Sequence, residues 1–360
     1  MRSEFGWTPQ SANGGEDMKA LVLSAYKNLE IEDVPVPQPA EDELLIRIKA
    51  CGICGSDVHG FDGSTGRRIP PIVMGHEAAG IVEAVGSGVA NFRVGDRVTF
   101  DSTVYCGVCF YCQRGQINLC EEREVIGVST PLFRRMGAFA EYVTVPARIA
   151  YSLPDAMPFS HAALIEAVSV AVHGTSLTPI EPGDTAVVVG SGMIGLLTLQ
   201  AVRQAGAERV FVVDVDDTRL EMARQLGATE TFNSKKQDVV AEIQKRTSGR
   251  GADVALECVG ITDAIALAVE SVRKGGAVTL VGNVAPKIEL ALQSVVSRQI
   301  RLQGSCASCG EYPECIAMMA SGKIRVEPLV SAVAPLAEGA SWFQRLYDRE
   351  PGLLKVVLQP

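Results

Sequence analysis

Two kinds of hydrophobic pattern divide the chain. From residue 18 to about 160, short apolar runs at 20–23, 43–50, 79–85 and 97–99 read as strands. They are separated by Pro- and Gly-bearing pieces such as V-P-V-P-Q-P and G-S-G-V-A. This pattern predicts a mostly β domain with long loops. Near Pro182 the character changes. Residues 185–189 form a continuous apolar run, suited to a strand buried on both faces. A Gly-rich turn and a helical pattern from Met193 to about Ala205 follow. Strands at 210–214, 253–257 and 277–281 then alternate with helices at 218–225 and about 263–272. Such βαβα alternation implies a doubly wound parallel sheet with right-handed crossovers. Beyond about residue 304 the pattern becomes irregular, and the tail is expected to rejoin the first domain.

At 360 residues the chain is long enough for two domains of ordinary size. A hydrophobic content of 47% and a charged content of 21% give it a substantial core and a globular character. The formal charge of −9, without a dense Lys/Arg run, argues against nucleic acid as a partner. No apolar stretch is long enough to span a bilayer, so no membrane partner is expected. Residues 1–17 are polar and Gly-bearing with no hydrophobic signal region. They read as a disordered arm, a cloning remnant or an over-long start, with Met18 as a plausible initiator.

Cysteine spacing carries the first chemistry. Cys106, Cys109, Cys112 and Cys120 form C-x2-C-x2-C-x7-C in a polar, Gly-bearing loop. Four thiolates at short spacing suit a closed tetrahedral zinc site that organises a loop and does no chemistry. An iron–sulfur cluster uses the same count, but nothing else here points to electron transfer. Ten cysteines spread over 360 residues do not resemble a secreted disulfide scaffold, so a reducing cytoplasm is expected.

The turn G-S-G-M-I-G places Gly190, Gly192, Met193, Ile194 and Gly195 between a predicted strand and a predicted helix, with Asp214 nineteen residues further on. Strand, glycine turn, helix and a following acid form the dinucleotide fingerprint. Gly190 permits the tight turn, Gly192 the close approach of a pyrophosphate, and Gly195 the packing of helix on strand, with the helix N-terminus facing the phosphates. Asp214 would accept from ribose hydroxyls and repel a 2′-phosphate, which favours NAD. Arg219 tempers this, because an arginine there can serve a 2′-phosphate or stack on adenine. Val281, ending the last predicted strand, completes the candidate cofactor set.

Three further segments carry ligand-type side chains: C-G-I-C-G-S-D-V-H-G at 51–60, G-H-E-A-A-G at 75–80, and I-E-A-V-S-V-A-V-H-G at 165–174. Cys54, His76, Glu77 and Glu166 provide a mixed S/N/O set suited to a catalytic zinc with an exchangeable position. Cys306 and Cys309 form a C-x2-C pair without two further ligands and read as loop or core thiols, as do Cys51, Cys258 and Cys315.

These motifs, in this order, make the chain resemble a zinc-containing medium-chain dehydrogenase of the alcohol and polyol dehydrogenase superfamily. The likeness runs from about Met18 to the C-terminus and is nearest to the sorbitol (L-iditol) dehydrogenase branch. It implies an α/β fold: a GroES-like β-rich catalytic domain at 18–166 and 305–360, and a Rossmann NAD-binding domain at 167–304, with the active site in the cleft between them. It also implies two zinc ions per subunit, NAD, a small alcohol or polyol substrate, and a homodimer or homotetramer.

The resemblance makes Cys54 and His76 catalytic zinc ligands. Glu77 is similar to a third ligand, and Glu166 stands where many alcohol dehydrogenases carry a cysteine. Direct binding by Glu166, binding through water, and exchange with Glu77 stay open. Asp57 is similar to the carboxylate that orients the histidine ligand, and Ser56 and His59 match a relay carrying the alcohol proton toward solvent. Ser56 or a zinc-bound hydroxide would remove the alcohol proton, and zinc would stabilise the alkoxide, whose carbon would pass hydride to the nicotinamide. Small residues around Ala307 stand where sorbitol dehydrogenases place an arginine and an aromatic, which keeps threonine, butanediol and polyol-phosphate substrates open. An NADP-dependent quinone reductase would lack both zinc sets. A non-catalytic structural or sensing relative would have lost a ligand or a cofactor glycine.

Overall fold

A computed structural model describes residues 16–130 and 133–360. The arm expected over residues 1–17 lies outside the described residues as far as position 15, and Asp17 already opens the first strand. By contacts, the described residues form two compact units. One runs to Glu166 and resumes at Glu327; the other extends from Ala167 to Val326. The sequence reading put the return to the first unit at 305. Residues 305–326 instead belong with the second unit, and their helix, Tyr312–Ala320, buries Tyr312 and Cys315 there.

The first unit is built on a seven-stranded sheet. Its central strand, Glu43–Gly52, is antiparallel to Glu77–Val85 on one side and to the C-terminal strand Lys355–Gln359 on the other. Register decides the site. Gly52 lies opposite Glu77 on one neighbour and opposite Val357 on the other. The chain's last strand is thereby brought within reach of residues near position 77. A separate sheet of Asp17–Ala25, Asn28–Pro35 and Ile72–Val73 packs into the same core, where Leu21, Leu23, Phe100, Phe139 and Phe343 are fully buried. A short antiparallel pair, Thr103–Val104 with Glu124–Val125, closes the base of the cysteine loop.

The second unit is a six-stranded parallel sheet. Its order is Glu230–Asn233, Arg209–Asp214, Thr185–Val189, Ala252–Glu257, Val272–Leu280 and Arg301–Gly304. All five residues of Thr185–Val189 are buried, as the continuous apolar run predicts for a central strand covered on both faces. The order reverses at this strand, and in open α/β sheets ligands bind at the carboxyl ends beside such a switch point. The helices Met193–Gln204, Asp217–Gln225 and Thr262–Ser271 fall within a few residues of the predicted ones. Val281 lies just past the end of its strand rather than within it. Among the described residues, no helix is long and apolar enough to cross a membrane.

Candidate active site and metal centres

Local structure at Cys54 is set by a short helix, Gly55–Gly60, for which Cys54 is the N-cap. Its sulfur accepts from the Ser56 backbone N–H at 3.5 Å and from Ser56 Oγ at 3.3 Å. The helix buries Asp57 and leaves His59 exposed. His76 and Glu77 arrive at the start of the strand Glu77–Val85, both buried. The ligand atoms of Cys54, His76 and Glu77 all lie within 4.8 Å of one another. Glu166 lies outside that set, although its carboxyl shares the same electrostatic field.

Two buried cations flank the set. Lys355 Nζ donates to Glu77 Oε2 at 2.6 Å and to the Ile53 carbonyl at 3.0 Å. Gly52 makes room for this pair, since a Cβ there would collide with Glu77 Oε2. Arg68 donates through Nε and Nη2 to Asp57 Oδ1 at 3.0 and 2.7 Å. The other Asp57 oxygen faces His76 Nδ1 at 3.4 Å. Neither of these two facing atoms has a well-directed hydrogen bond. His76 Nε2 is left toward Ser56 Oγ, 3.5 Å away.

The electrostatics follow from this arrangement. Burial opposes ionisation of Asp57, but the fields of His76 and Arg68 outweigh it and hold the carboxyl below the usual range. Burial likewise opposes a charge on His76, yet Asp57 and Cys54 raise its pKa well above that of an ordinary imidazole. Burial pushes Glu166 up to about 7, with Glu77 and Asp101 adding to the shift against His76 and Lys355. Cys54, Asp57, Glu77 and Glu166 are four potential anions set against the cations Arg68 and Lys355. In the metal-free site a protonated His76 adds to these cations; a metal ion would take the place of that proton, and the S/N/O donors are of the type a catalytic zinc takes. The residues therefore fit such an ion.

The four cysteines of the loop also come together, with Cys106, Cys109, Cys112 and Cys120 sulfurs within 4.8 Å of one another. Backbone N–H groups of Val108 and Cys109 donate to Cys106 Sγ at 3.4 and 3.3 Å, and that of Cys106 to Cys120 Sγ at 3.3 Å. Amides aimed at sulfur favour thiolates. Backbone hydrogen bonds from Cys112 and Glu121 lower the Cys109 thiol to about 6, while burial pushes Cys112 up to about 12. Four crowded sulfurs of opposed acidity fit a zinc that takes all four as thiolates.

In the second unit, Gly190 has φ +91° and ends the strand Thr185–Val189, and Gly192 is the N-cap of Met193–Gln204. A Cβ on Gly195 would land on the Gly190 carbonyl oxygen, whereas one on Gly192 would meet nothing within 4 Å. Gly195 thus serves helix-on-strand packing, and the open space over Gly192 suits a bound phosphate. Met193 and Ile194 open the helix. Asp214 accepts from Ser191 N and Oγ at 2.6 and 2.9 Å, and from the backbone N–H groups of Val215 and Asp216 at 2.7 and 3.0 Å. The acid therefore also ties the glycine turn to the end of its neighbouring strand. Arg219 is exposed, 4.0 Å from Asp216.

Ser56 and His59 lie on the same short helix, Gly55–Gly60, and no direct hydrogen bond joins them among the described residues. Sequence reasoning missed Arg68 and Lys355. A lysine inside the apolar run L-L-K-V-V-L was the available signal for the second. For Arg68, a polar loop residue, there was none.

Comparison with known proteins matches residues 40–155 to the alcohol dehydrogenase GroES-like domain and residues 194–321 to the zinc-binding dehydrogenase domain. The chain is 36% identical to sorbitol dehydrogenase of Bacillus subtilis (strain 168) over 349 residues, covering 96% of this chain and 98% of that one. It is also 36% identical to L-idonate 5-dehydrogenase of Vitis vinifera, covering 88% and 87%. Among solved structures, a zinc-binding dehydrogenase of Sinorhizobium meliloti 1021 bound to NADP is similar at TM-score 0.88 and 33% identity, covering 96% of this chain and all of that one.

Proposed function

This chain belongs to the zinc-containing medium-chain dehydrogenase superfamily, in its polyol dehydrogenase branch, and from that premise we propose that it oxidises a secondary alcohol of a small polyol with NAD. The convergence of Cys54, His76 and Glu77 within one buried, anion-rich pocket carries the reading. Those three side chains would hold the catalytic zinc, with Glu166 as an exchanging or water-linked partner. Cys106, Cys109, Cys112 and Cys120 would hold a structural one. The catalytic ion, when bound, supplies a Lewis acid that favours the alkoxide form of a substrate hydroxyl.

Ser56 Oγ, 3.5 Å from His76 Nε2, is the hydroxyl positioned to accept the substrate proton first. As it accepts, it passes its own proton on toward solvent, by way of water or the exposed His59. Asp57 keeps the imidazole of His76 oriented with Nδ1 toward its carboxylate. The nicotinamide, when bound, would supply the acceptor for the hydride of the carbinol C–H bond, so that the expected products are a ketone and NADH. Gly190, Gly192, Met193, Ile194 and Gly195 would cradle the pyrophosphate, Asp214 would take the ribose hydroxyls, and Arg219 and Val281 would border the dinucleotide. An anionic Asp214 disfavours a 2′-phosphate, which supports NAD over NADP.

The exposed Leu292 and Val296 lead into the edge strand Arg301–Gly304 and support a homodimer or homotetramer. Ten cysteines, five of them proposed zinc ligands, support a reducing compartment such as the cytoplasm. The test of activity is a panel of sorbitol, xylitol, iditol, butanediol, threonine and polyol phosphates with each dinucleotide. Reduction of NAD by a polyol, lost on chelation of the metal, is expected. Reduction by none of them contradicts the proposal.

A further inference from the structure

Arg68 is only 3% exposed, yet it belongs to no motif and is too far along the chain from Asp57 to be a helix partner. Its guanidinium does two things at once. Nε and Nη2 converge on Asp57 Oδ1, and Nη2 also donates to Ser56 Oγ at 3.3 Å. Asp57 stands behind the His76 ring, and Ser56 stands in front of it, 3.3 Å from Cys54 Sγ. The side chain is given a slot for this purpose. A Cβ on Gly60 would collide with the Arg68 stem.

A serine hydroxyl has two acceptor lone pairs and one donor. With Arg68 occupying one lone pair and the O–H directed at Cys54 Sγ, Ser56 keeps one acceptor position for an incoming proton, and its direction is fixed. Without Arg68 the hydroxyl rotates, and Asp57 becomes a buried carboxylate short of its fixed counter-charge. Lysine can replace the charge but not the planar fork that reaches both partners.

We propose that Arg68 is a positioning residue that orients Ser56 directly and His76 through Asp57. The proposal rests on the reading of Ser56 as the first proton acceptor. The test compares Arg68→Met and Arg68→Lys in the full-length, zinc-loaded protein. Three quantities are measured: the rate of zinc transfer to a chromogenic chelator, kcat and KM with the best substrate, and the solvent deuterium isotope effect on kcat. The release phase belonging to the Cys54–His76–Glu77 site is identified by its absence in His76→Ala.

Arg68→Met is expected to speed that phase by about 10- to 100-fold, the usual effect of losing a partner behind a metal ligand. Arg68→Lys is expected to hold zinc within about 3-fold of the parent, because Asp57 keeps a cation. Its kcat nonetheless falls by about 10-fold or more at little-changed KM, and its solvent isotope effect rises, as for an impaired proton transfer. Parental zinc release in Arg68→Met overturns the role through Asp57, and parental kcat with an unchanged isotope effect in Arg68→Lys overturns the role at Ser56. Should Arg68→Met not fold, Arg68→Lys in a Ser56→Ala background decides, since the lysine must then cost nothing further. A parent that binds zinc but reduces neither dinucleotide defeats the functional reading instead, and the zinc-release comparison still tests Arg68.

Discussion

Lys355 Nζ lies 2.6 Å from Glu77 Oε2, a buried ion pair between residues 278 positions apart. The pair spans three neighbouring strands, with Gly52 on the middle one lacking the side chain that would separate the partners. The C-terminal strand therefore completes the site as well as the sheet. Removing one partner of a buried pair leaves an uncompensated charge, which costs about 3–5 kcal/mol. Lys355→Met is expected to destabilise the metal-free protein by that order in urea denaturation. Zinc should restore part of the loss, because the ion neutralises Glu77. A metal-free variant as stable as its parent would show that the pair contributes nothing.

The cysteine lobe has little apolar material of its own, with Val108 and Phe110 exposed. Cys112→Ser is expected to lower zinc from two ions per chain to one and to open the 106–120 loop to proteolysis. Elemental analysis and timed digestion check both. Two zinc ions retained in Cys112→Ser would remove the loop from the metal account.

Asp214 serves two ends, the glycine turn and the proposed ribose contact. Asp214→Gly is expected to weaken both dinucleotides while shifting the NAD-to-NADP ratio of kcat/KM toward NADP by about 10-fold or more, the worth of one removed charge–phosphate repulsion. The ratio is the readout, since the lost turn contacts affect both cofactors alike. An unchanged ratio removes Asp214 from cofactor choice.

His173 Nδ1 and Glu311 Oε1 are 2.6 Å apart in the second unit, and the Cys309 N–H also donates to this carboxylate. Burial pushes Glu311 up, but the hydrogen bonds from His173 and Cys309 outweigh it and hold the carboxyl below its ordinary value of 4.5. A lowered acid stabilises the fold above its unfolded pKa and loses that contribution as pH falls through the folded value. Glu311→Gln is expected to be less stable than the parent at pH 7, with the gap closing below about pH 4.5. Urea midpoints across that range check it. A gap that fails to close below about pH 4.5 would mean the contact does not depend on an ionised Glu311.

Much of the architecture is legible in the sequence because each feature has a short-range cause. Thr185–Val189 announces itself as a two-sided buried strand, and the turn after it needs glycine at Gly190 for its φ and at Gly195 for packing. The cysteine loop is legible from spacing alone. The strands Glu230–Asn233 and Arg301–Gly304 were not, because edge strands are short and carry polar residues. The helix Tyr312–Ala320 was lost in a segment read as irregular, which moved the expected domain return to 305. Arg68 and Lys355 escaped for a different reason. Periodicity says which face is buried, but only the register of distant strands and loops says which buried charge meets which.

The most direct measurement of the central claim follows the hydrogen itself. Zinc-loaded protein is given NAD and polyols deuterated at their secondary carbinol carbons, and the reduced dinucleotide is weighed by mass spectrometry. The account predicts one deuterium in each NADH formed, and none formed once a chelator has stripped the metal. NADH without deuterium, or no reduced dinucleotide from any secondary alcohol with either NAD or NADP, would contradict it.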